Sequence, residues 1–390
     1  MSCDQVPLGS PTVSSPGAEP FVPGHQLSLA LYEGYVAPTL ARRFPRLEYA
    51  AALIGHGSDV LGFDTARSTD HDWGPRLQVI VAGDDLVAMA DILAAVAEEL
   101  PDAVCGVPVE LPGAAHLPGH PVTPDDGGHG RRHGVTITTV RRLLLDLVGT
   151  DEDPRRWDGA RWLLTPRQGL LEFTAGPAYR DDTGELSAAR AALAWYPHDI
   201  WLYVMSGRWQ RIAQIESFVG RTAEVGDDLG SHVLAGQIVH DVMHLALLQH
   251  RSYAPYSKWL GTAFAQHEGG PALTDALTTA LSTSSSEQRQ QAVVEALLDL
   301  SRRHDDLQVT PAVGAVAELF FGRPYPVIWS ERIARALHGA MPSPLAASLP
   351  FGLGGIDEVT DATDALKNLR LRRELAAVYA RSRSAGPDDA

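Results

Sequence analysis

The chain has 390 residues, 45% of them hydrophobic and 21% charged, which is enough for two domains each with its own core. Its formal charge of −16 includes no long basic block, only short pairs such as Arg131-Arg132 and Arg141-Arg142, and this argues against nucleic acid as the principal substrate. Two cysteines, Cys3 and Cys105, are too few for a disulfide framework, and neither a charged-then-apolar leader nor a membrane-length apolar run is present, so a cytoplasmic protein with no membrane partner is expected.

In chain order, residues 1–24 are rich in Ser, Pro and Gly and read as a disordered leader. Leu27–Phe44 has helical apolar spacing with a bend at Pro38. Arg46–Gly55 reads as a first strand, or as a helix end running into it, and Asp70–Val81 as a second strand. Asp84–Leu100 is a helix capped by Asp84 and Asp85, with Leu86, Met89, Leu93, Val96 and Leu100 on its apolar face. A short strand at Val104–Leu111 precedes a Gly-, Pro- and His-rich loop, Pro112–Arg132. The β-branched run His133–Val140 is a strand feeding a helix at Val140–Val148.

Beyond a linker at Asp151–Asp158 the pattern turns helical. Thr165-Pro166 starts a helix through Phe173, and further helices are predicted at Ser187–Ala194, Asp199–Gly220, Leu229–His250, Pro271–Ser282, Ser286–His304, Pro311–Phe321, Ser330–His338 and Ala362–Ser382. The expected fold class is α+β. An N-terminal domain over residues 25–150, with a mixed sheet and flanking helices, precedes a helical bundle over residues 151–382 and a disordered tail at 383–390.

The chemistry concentrates in Gly55-His-Gly-Ser58 and Asp70-His-Asp72-Trp-Gly-Pro-Arg76. On an extended strand Asp70 and Asp72 point to the same side, where two carboxylates repel unless a cation sits between them. Oxygen ligands suit Mg²⁺ or Mn²⁺. Gly57 and Ser58 offer backbone N–H groups and a hydroxyl, which suit a phosphate. Each motif alone also reads blandly, as a solvated strand end or an ordinary turn; together, at the ends of two apolar strands, they read as a nucleotide site.

The order strand, Gly-Ser, about a dozen residues, Asp-x-Asp, strand resembles the DNA polymerase beta-like nucleotidyltransferase superfamily. More narrowly, Gly55–Arg76, with Ala194-Trp-Tyr-Pro-His-Asp-Ile-Trp-Leu-Tyr203 and Tyr253-Ala-Pro-Tyr-Ser-Lys-Trp-Leu-Gly261, resembles bacterial proteins of domain of unknown function 4037, from about Ala30 to Arg370. The resemblance implies a nucleotidyltransferase-like N-terminal domain in which Gly57 and Ser58 contact the β and γ phosphates of a nucleoside triphosphate. Asp70 and Asp72 would hold Mg²⁺ or Mn²⁺ while a hydroxyl attacks the α-phosphorus and pyrophosphate leaves. The acceptor would be a small molecule, or alternatively a protein. A third carboxylate normally comes from the neighbouring strand; here relatives tend to carry Glu where this chain has Thr136, and Glu110 or Asp64 are the substitutes within reach. The competing reading is a non-catalytic nucleotide-binding or regulatory protein.

Other features carry less. Lys258 among Tyr253, Tyr256 and Trp259 suits a nucleotide contact or a solvated helix start. Arg76 suits either a carboxylate partner or a phosphate contact. His240 and His244 have metal-ligand spacing but no third ligand, and the histidines at 116, 120, 129 and 133 are too irregular for a metal site. Trp195, Tyr196, Trp201, Tyr203 and Trp209 read as core.

Overall fold

The computed structural model describes residues 21–70, 73–111, 133–267, 269–342 and 349–381. Residues 1–20 of the expected leader at 1–24, the His-rich loop at 112–132 and the expected tail at 383–390 lie outside the described residues, while Gly24 at the end of that leader already begins a helix. The fold class is α+β, and the chain divides into two compact units, one comprising residues 1–156 and 169–194, the other residues 157–168 and 195–390.

The first unit opens with α1 (Gly24–Leu31) and α2 (Ala37–Arg43), joined by a π-helical turn at Tyr32–Val36. Pro38 sits at the start of α2, where its missing N–H costs least, so the wide turn just before it replaces the expected bend. Next come β1 (Tyr49–Ala52) and β2 (Arg76–Val81). The second strand is thus shorter than expected: Asp70 ends a 3-10 turn at Ala66–Asp70, and the same-side argument from strand alternation does not apply to it. Helix α3 (Leu86–Ala97) is capped by Asp85, whose carboxylate accepts from the N–H groups of Val87 and Ala88. It buries Met89, Ile92, Ala95 and Val96, and Leu86 is 57% exposed rather than on the apolar face.

The predicted strand at 104–111 is reduced to a two-residue hairpin, β3 (Ala103–Val104) with β4 (Val107–Pro108), turned by Cys105 and Gly106 at positive φ. Strand β5 (Gly134–Thr138) leads through the Thr139 cap into α4 (Val140–Val148), which Gly149 closes in the left-handed region. After α5 (Gly159–Leu163), which belongs to the second unit, α6 (Arg167–Thr174) carries the chain back to the first. There β6 (Ala178–Asp181) and α7 (Glu185–Leu193) complete it.

The sheet order is β5-β2-β1-β6, with β2 parallel to β5 and β1 antiparallel to both β2 and β6. One face is apolar: Tyr49, Ala51, Leu77, Val79, Val81, Val135 and Ile137 pack with Leu31, Leu40, Met89, Ile92 and Val96 of the helices. Alternation therefore turns Arg76, Gln78, Gly134, Thr136 and Thr138 to the other face.

The second unit is built on α8 (His198–Ile215), α9 (Phe218–Glu224), α10 (Asp228–Gln249), α11 (Ser257–Gln266), α12 (Gly270–Ser282) and α13 (Ser286–Asp306). The predicted helix at 311–321 is instead a hairpin, β7 (Glu318–Leu319) with β8 (Pro326–Val327), because Phe321 and Gly322 turn at positive φ. Helices α14 (Glu331–Gly339), α15 (Ile356–Val359), α16 (Thr363–Lys367) and α17 (Leu369–Arg381) follow. Trp201, Tyr203 and Trp209 are fully buried along α8, which is core, as their spacing predicts.

A buried ionic cluster ties α6, α8, α10 and α15 together. Glu358 accepts from both Arg167 and Arg208, and Arg208 also donates to Asp241 Oδ1 at 2.6 Å. These four side chains are at most 1% exposed. Burial opposes the Glu358 charge, yet the two guanidiniums outweigh it and hold the carboxyl below the usual glutamate range. A depressed carboxylate stabilises the fold above the unfolded value, about pH 4.3, and that stabilisation is lost as pH falls through the lower folded value. Glu358→Gln, which leaves two buried guanidiniums short of a charge, should cost about 3–5 kcal/mol at neutral pH. The deficit against wild type should shrink as the pH is lowered below about 4. Urea unfolding at a series of pH values measures both.

Candidate functional site

The Gly-Ser turn is a constructed feature rather than a loose loop. Leaving β1, the chain places Gly55 and Gly57 at φ of 114° and 124°, conformations that L side chains rarely adopt. Inside the turn the Arg76 guanidinium grips Asp59: Nε donates to Oδ2 at 3.2 Å and Nη2 to Oδ1 at 2.5 Å, while Nη2 also donates to the His56 carbonyl at 2.8 Å. Both side chains of the pair are 0% exposed. Desolvation pushes the Asp59 carboxyl upward, and the guanidinium beside it opposes that push. A Cβ on Gly57 would overlap both partners, so the second glycine is required by the ion pair as well as by φ. Gly134 is needed for a related reason: a Cβ there would collide with the Pro75 carbonyl and Arg76 Cα, where β5 runs close to β2.

Further bonds fix the turn's neighbours. Ile54 N–H donates to Gln78 Oε1 at 2.8 Å, Phe63 N–H to the Ser58 carbonyl at 2.8 Å, and Ser28 Oγ to the Arg76 carbonyl at 2.6 Å. Asp64 Oδ2 accepts from Gly24 N–H at 2.7 Å and from Trp73 Nε1 at 2.9 Å. This carboxylate therefore staples the two ends of the segment that carries Asp70 and Asp72 and is engaged structurally.

Of the residues singled out by sequence, Gly57 and Ser58 lie in the turn, Ser58 half-buried. Asp70 is exposed at the end of the 3-10 turn, and Asp72 lies outside the described residues. Among the described residues no three His, Cys, Asp or Glu side chains converge to hold a metal ion. Lys258 belongs to the second unit, exposed near the start of α11, with its Nζ 5.0 Å from the ring centre of Trp259. Thr136 stands opposite Gln78 across the parallel pair, 1% exposed. Its Oγ1, the Thr138 Oγ1 and Gln78 Nε2 have no hydrogen-bond partner. Glu110 is exposed and forms a single antiparallel bridge with His133. The buried face of β2 and β5 thus offers hydroxyls and an amide, and no carboxylate.

Two groupings join residues that sequence spacing does not connect, His56 with Glu172 and Arg167 with the His240/His244 pair. The first is His56, whose Nδ1 lies 2.8 Å from Glu172 Oε2; the imidazole is 41% exposed and the carboxylate 9%. Gly55 N–H also donates to the Glu172 carbonyl at 3.1 Å, so α6 holds the turn by side chain and backbone together. The signal for His56 was its place between two glycines; nothing local to Glu172, more than a hundred residues on, announces the pairing. The second grouping is in the other unit, where Arg167 Nη1 meets His244 Nδ1 at 3.3 Å and His244 Nε2 meets His240 Nε2 at 3.2 Å. An arginine cannot accept, so His244 Nδ1 accepts, its Nε2 carries the hydrogen, and His240 Nε2 accepts in turn. Burial and the nearby arginines hold His244 well below the usual histidine range. His244 is thus a neutral link in a hydrogen-bonded row.

Residues 162–260 match the model of a family described as domain of unknown function 4037, about a quarter of the chain. The matched span includes Glu172, Arg167, Arg208 and the histidine pair, and it lies downstream of the Gly-Ser and Asp-x-Asp segments. The matched span lies within the stretch from Ala30 to Arg370 over which the resemblance is expected from sequence. No curated protein and no solved structure gave a significant match.

The buried pair dictates the response to mutation. Asp59→Ala strands a guanidinium in the core and should destabilise the first unit by about 3–5 kcal/mol, whereas replacing both partners, Asp59→Leu with Arg76→Met, should recover much of that loss. Denaturant unfolding of the two variants measures the difference.

Proposed function

We propose that the first unit binds a nucleoside triphosphate with a divalent cation at the Gly57-Ser58 turn and transfers its nucleoside monophosphate to the hydroxyl of a small molecule, releasing pyrophosphate. The observation that carries this reading is the rigidly fixed turn between β1 and β2. Its two glycines take backbone conformations that favour glycine, half-buried Ser58 follows them, and exposed Asp70 ends the 3-10 turn further along the same connection. The donor chemistry suits Mg²⁺ or Mn²⁺: Asp70 is an exposed oxygen ligand, Asp72 is its sequence partner, and phosphate oxygens commonly complete such a shell. When bound, the cation would neutralise charge on the phosphates. Ser58 would donate to a terminal phosphate oxygen, and the backbone N–H groups of the turn would orient the chain of phosphates for in-line displacement.

A second reading is favoured by one specific observation. Thr136, buried opposite Gln78 on β5, stands where the resemblance implies a third carboxylate to accept the proton of the attacking hydroxyl, and threonine cannot serve as that base. On this reading the protein binds a metal–nucleotide complex for a regulatory purpose and does not turn it over. Transfer to a protein hydroxyl would use the same site.

Full-length protein incubated with α-labelled triphosphates, Mg²⁺ and a metabolite extract should release pyrophosphate and label a small molecule. Asp70→Asn should reduce this at least about a hundredfold, the scale of losing one charge-stabilising group; activity equal to wild type would remove Asp70 from the site. Saturable binding without pyrophosphate release selects the regulatory reading, and appearance of transfer in Thr136→Glu would identify the missing base.

A further inference from the structure

We propose that His56, oriented by Glu172, is the cationic contact of the Gly-Ser turn for the pyrophosphate end of a nucleoside triphosphate. The inference rests on the nucleotide reading above and holds whether or not the bound nucleotide is turned over.

A polyphosphate at this turn needs a cationic donor within it, all the more in a chain of formal charge −16. Arg76 cannot serve: it is 0% exposed and its Nε and Nη2 are committed to Asp59 and to the His56 carbonyl. His56 meets the requirement. Its side chain is 41% exposed, and it sits between two glycines at positive φ. Glu172, from α6, fixes the ring at 2.8 Å through Nδ1. An ionised carboxylate only accepts, so Nδ1 carries a hydrogen and Nε2 is left as the nitrogen available to a ligand. Protonated, Nε2 donates a charge-assisted hydrogen bond to a phosphate oxygen; neutral, it presents a lone pair and repels one.

Glu172 faces the ring from α6, and Arg76 of the Asp59–Arg76 pair donates to the His56 carbonyl. Glu172 is 9% exposed against 41% for the imidazole, so the imidazole is the half of the pair open to a ligand.

The test is calorimetric titration of the full chain with magnesium pyrophosphate, and with adenosine monophosphate as control. His56→Ala should weaken pyrophosphate binding about tenfold or more and leave the monophosphate unchanged. His56→Gln, which keeps a neutral donor of similar size, should recover part of the affinity, and it serves as the folded variant if the alanine protein unfolds. Wild-type affinity for pyrophosphate in both His56 variants, with weakened binding in Ser58→Ala and Asp70→Asn, overturns the role of His56 and leaves the nucleotide reading standing. Equal binding in all four variants, or no pyrophosphate binding by wild type, overturns the nucleotide reading and this inference with it. Equal loss of monophosphate and pyrophosphate affinity in the His56 variants assigns the histidine to shaping the turn and also overturns the proposal.

Discussion

The first unit depends on one buried ion pair. Arg76 begins β2 and Asp59 ends the turn leaving β1, so their contact fixes where the connection between two adjacent strands starts and stops. Two charges with no solvent exposure are tolerated only because the geometry is two-pronged and a further carbonyl takes a guanidinium hydrogen. The glycines at 57 and 134 follow from it, since any larger residue would press into the pair or into the backbone beside it. The position of Ser58 is therefore a by-product of electrostatics one residue away.

Much of this region's acidity is spent on architecture. Asp59 neutralises Arg76, Asp64 staples a loop through Gly24 and Trp73, and Glu172 holds both the side chain and the backbone of the turn. Asp70 is exposed at the end of its 3-10 turn. A sequence reading weights carboxylates by spacing and cannot see which are occupied by a partner distant in the chain. That is why Asp64 read as a spare base and Glu172 went unnoticed. Arg76 illustrates the same limit from the basic side, because its partner is neither a metal-binding carboxylate nor a phosphate but the residue next to Ser58.

Where local chemistry decides the outcome, the sequence was legible. Thr139 and Gly149 bracket a helix as cap and terminator, Asp85 caps another, and the aromatic run along α8 is buried as its spacing requires. It was least legible where a few residues leave the common backbone regions. Phe321 and Gly322 at positive φ turn an expected helix into a hairpin, and the 3-10 turn before β2 removes Asp70 from the strand assigned to it. Strand β6 was missed because it is a four-residue edge strand of half-exposed and exposed residues, with none of the apolar alternation that marks a covered strand. The Gly-Ser and Asp-x-Asp motifs could be found by eye, and the histidine–glutamate pair could not, since it is a tertiary contact between a turn and a helix.

Strand β6 also bears on how the protein is made. It pairs with β1, and the Pro177 and Glu172 carbonyls beside it accept the N–H groups of Leu53 and Gly55. The first unit is thus discontinuous in sequence, its last strand arriving only after the chain has passed through residues 157–168 of the other unit. During synthesis the nascent sheet must wait for that return with one edge of β1 unpaired, and an exposed strand edge is where unwanted association begins. A gene fragment cut at the apparent linker near residue 150 would lack β6 and the helix that holds the Gly-Ser turn, so the sheet closes only in a chain that continues past Asp181.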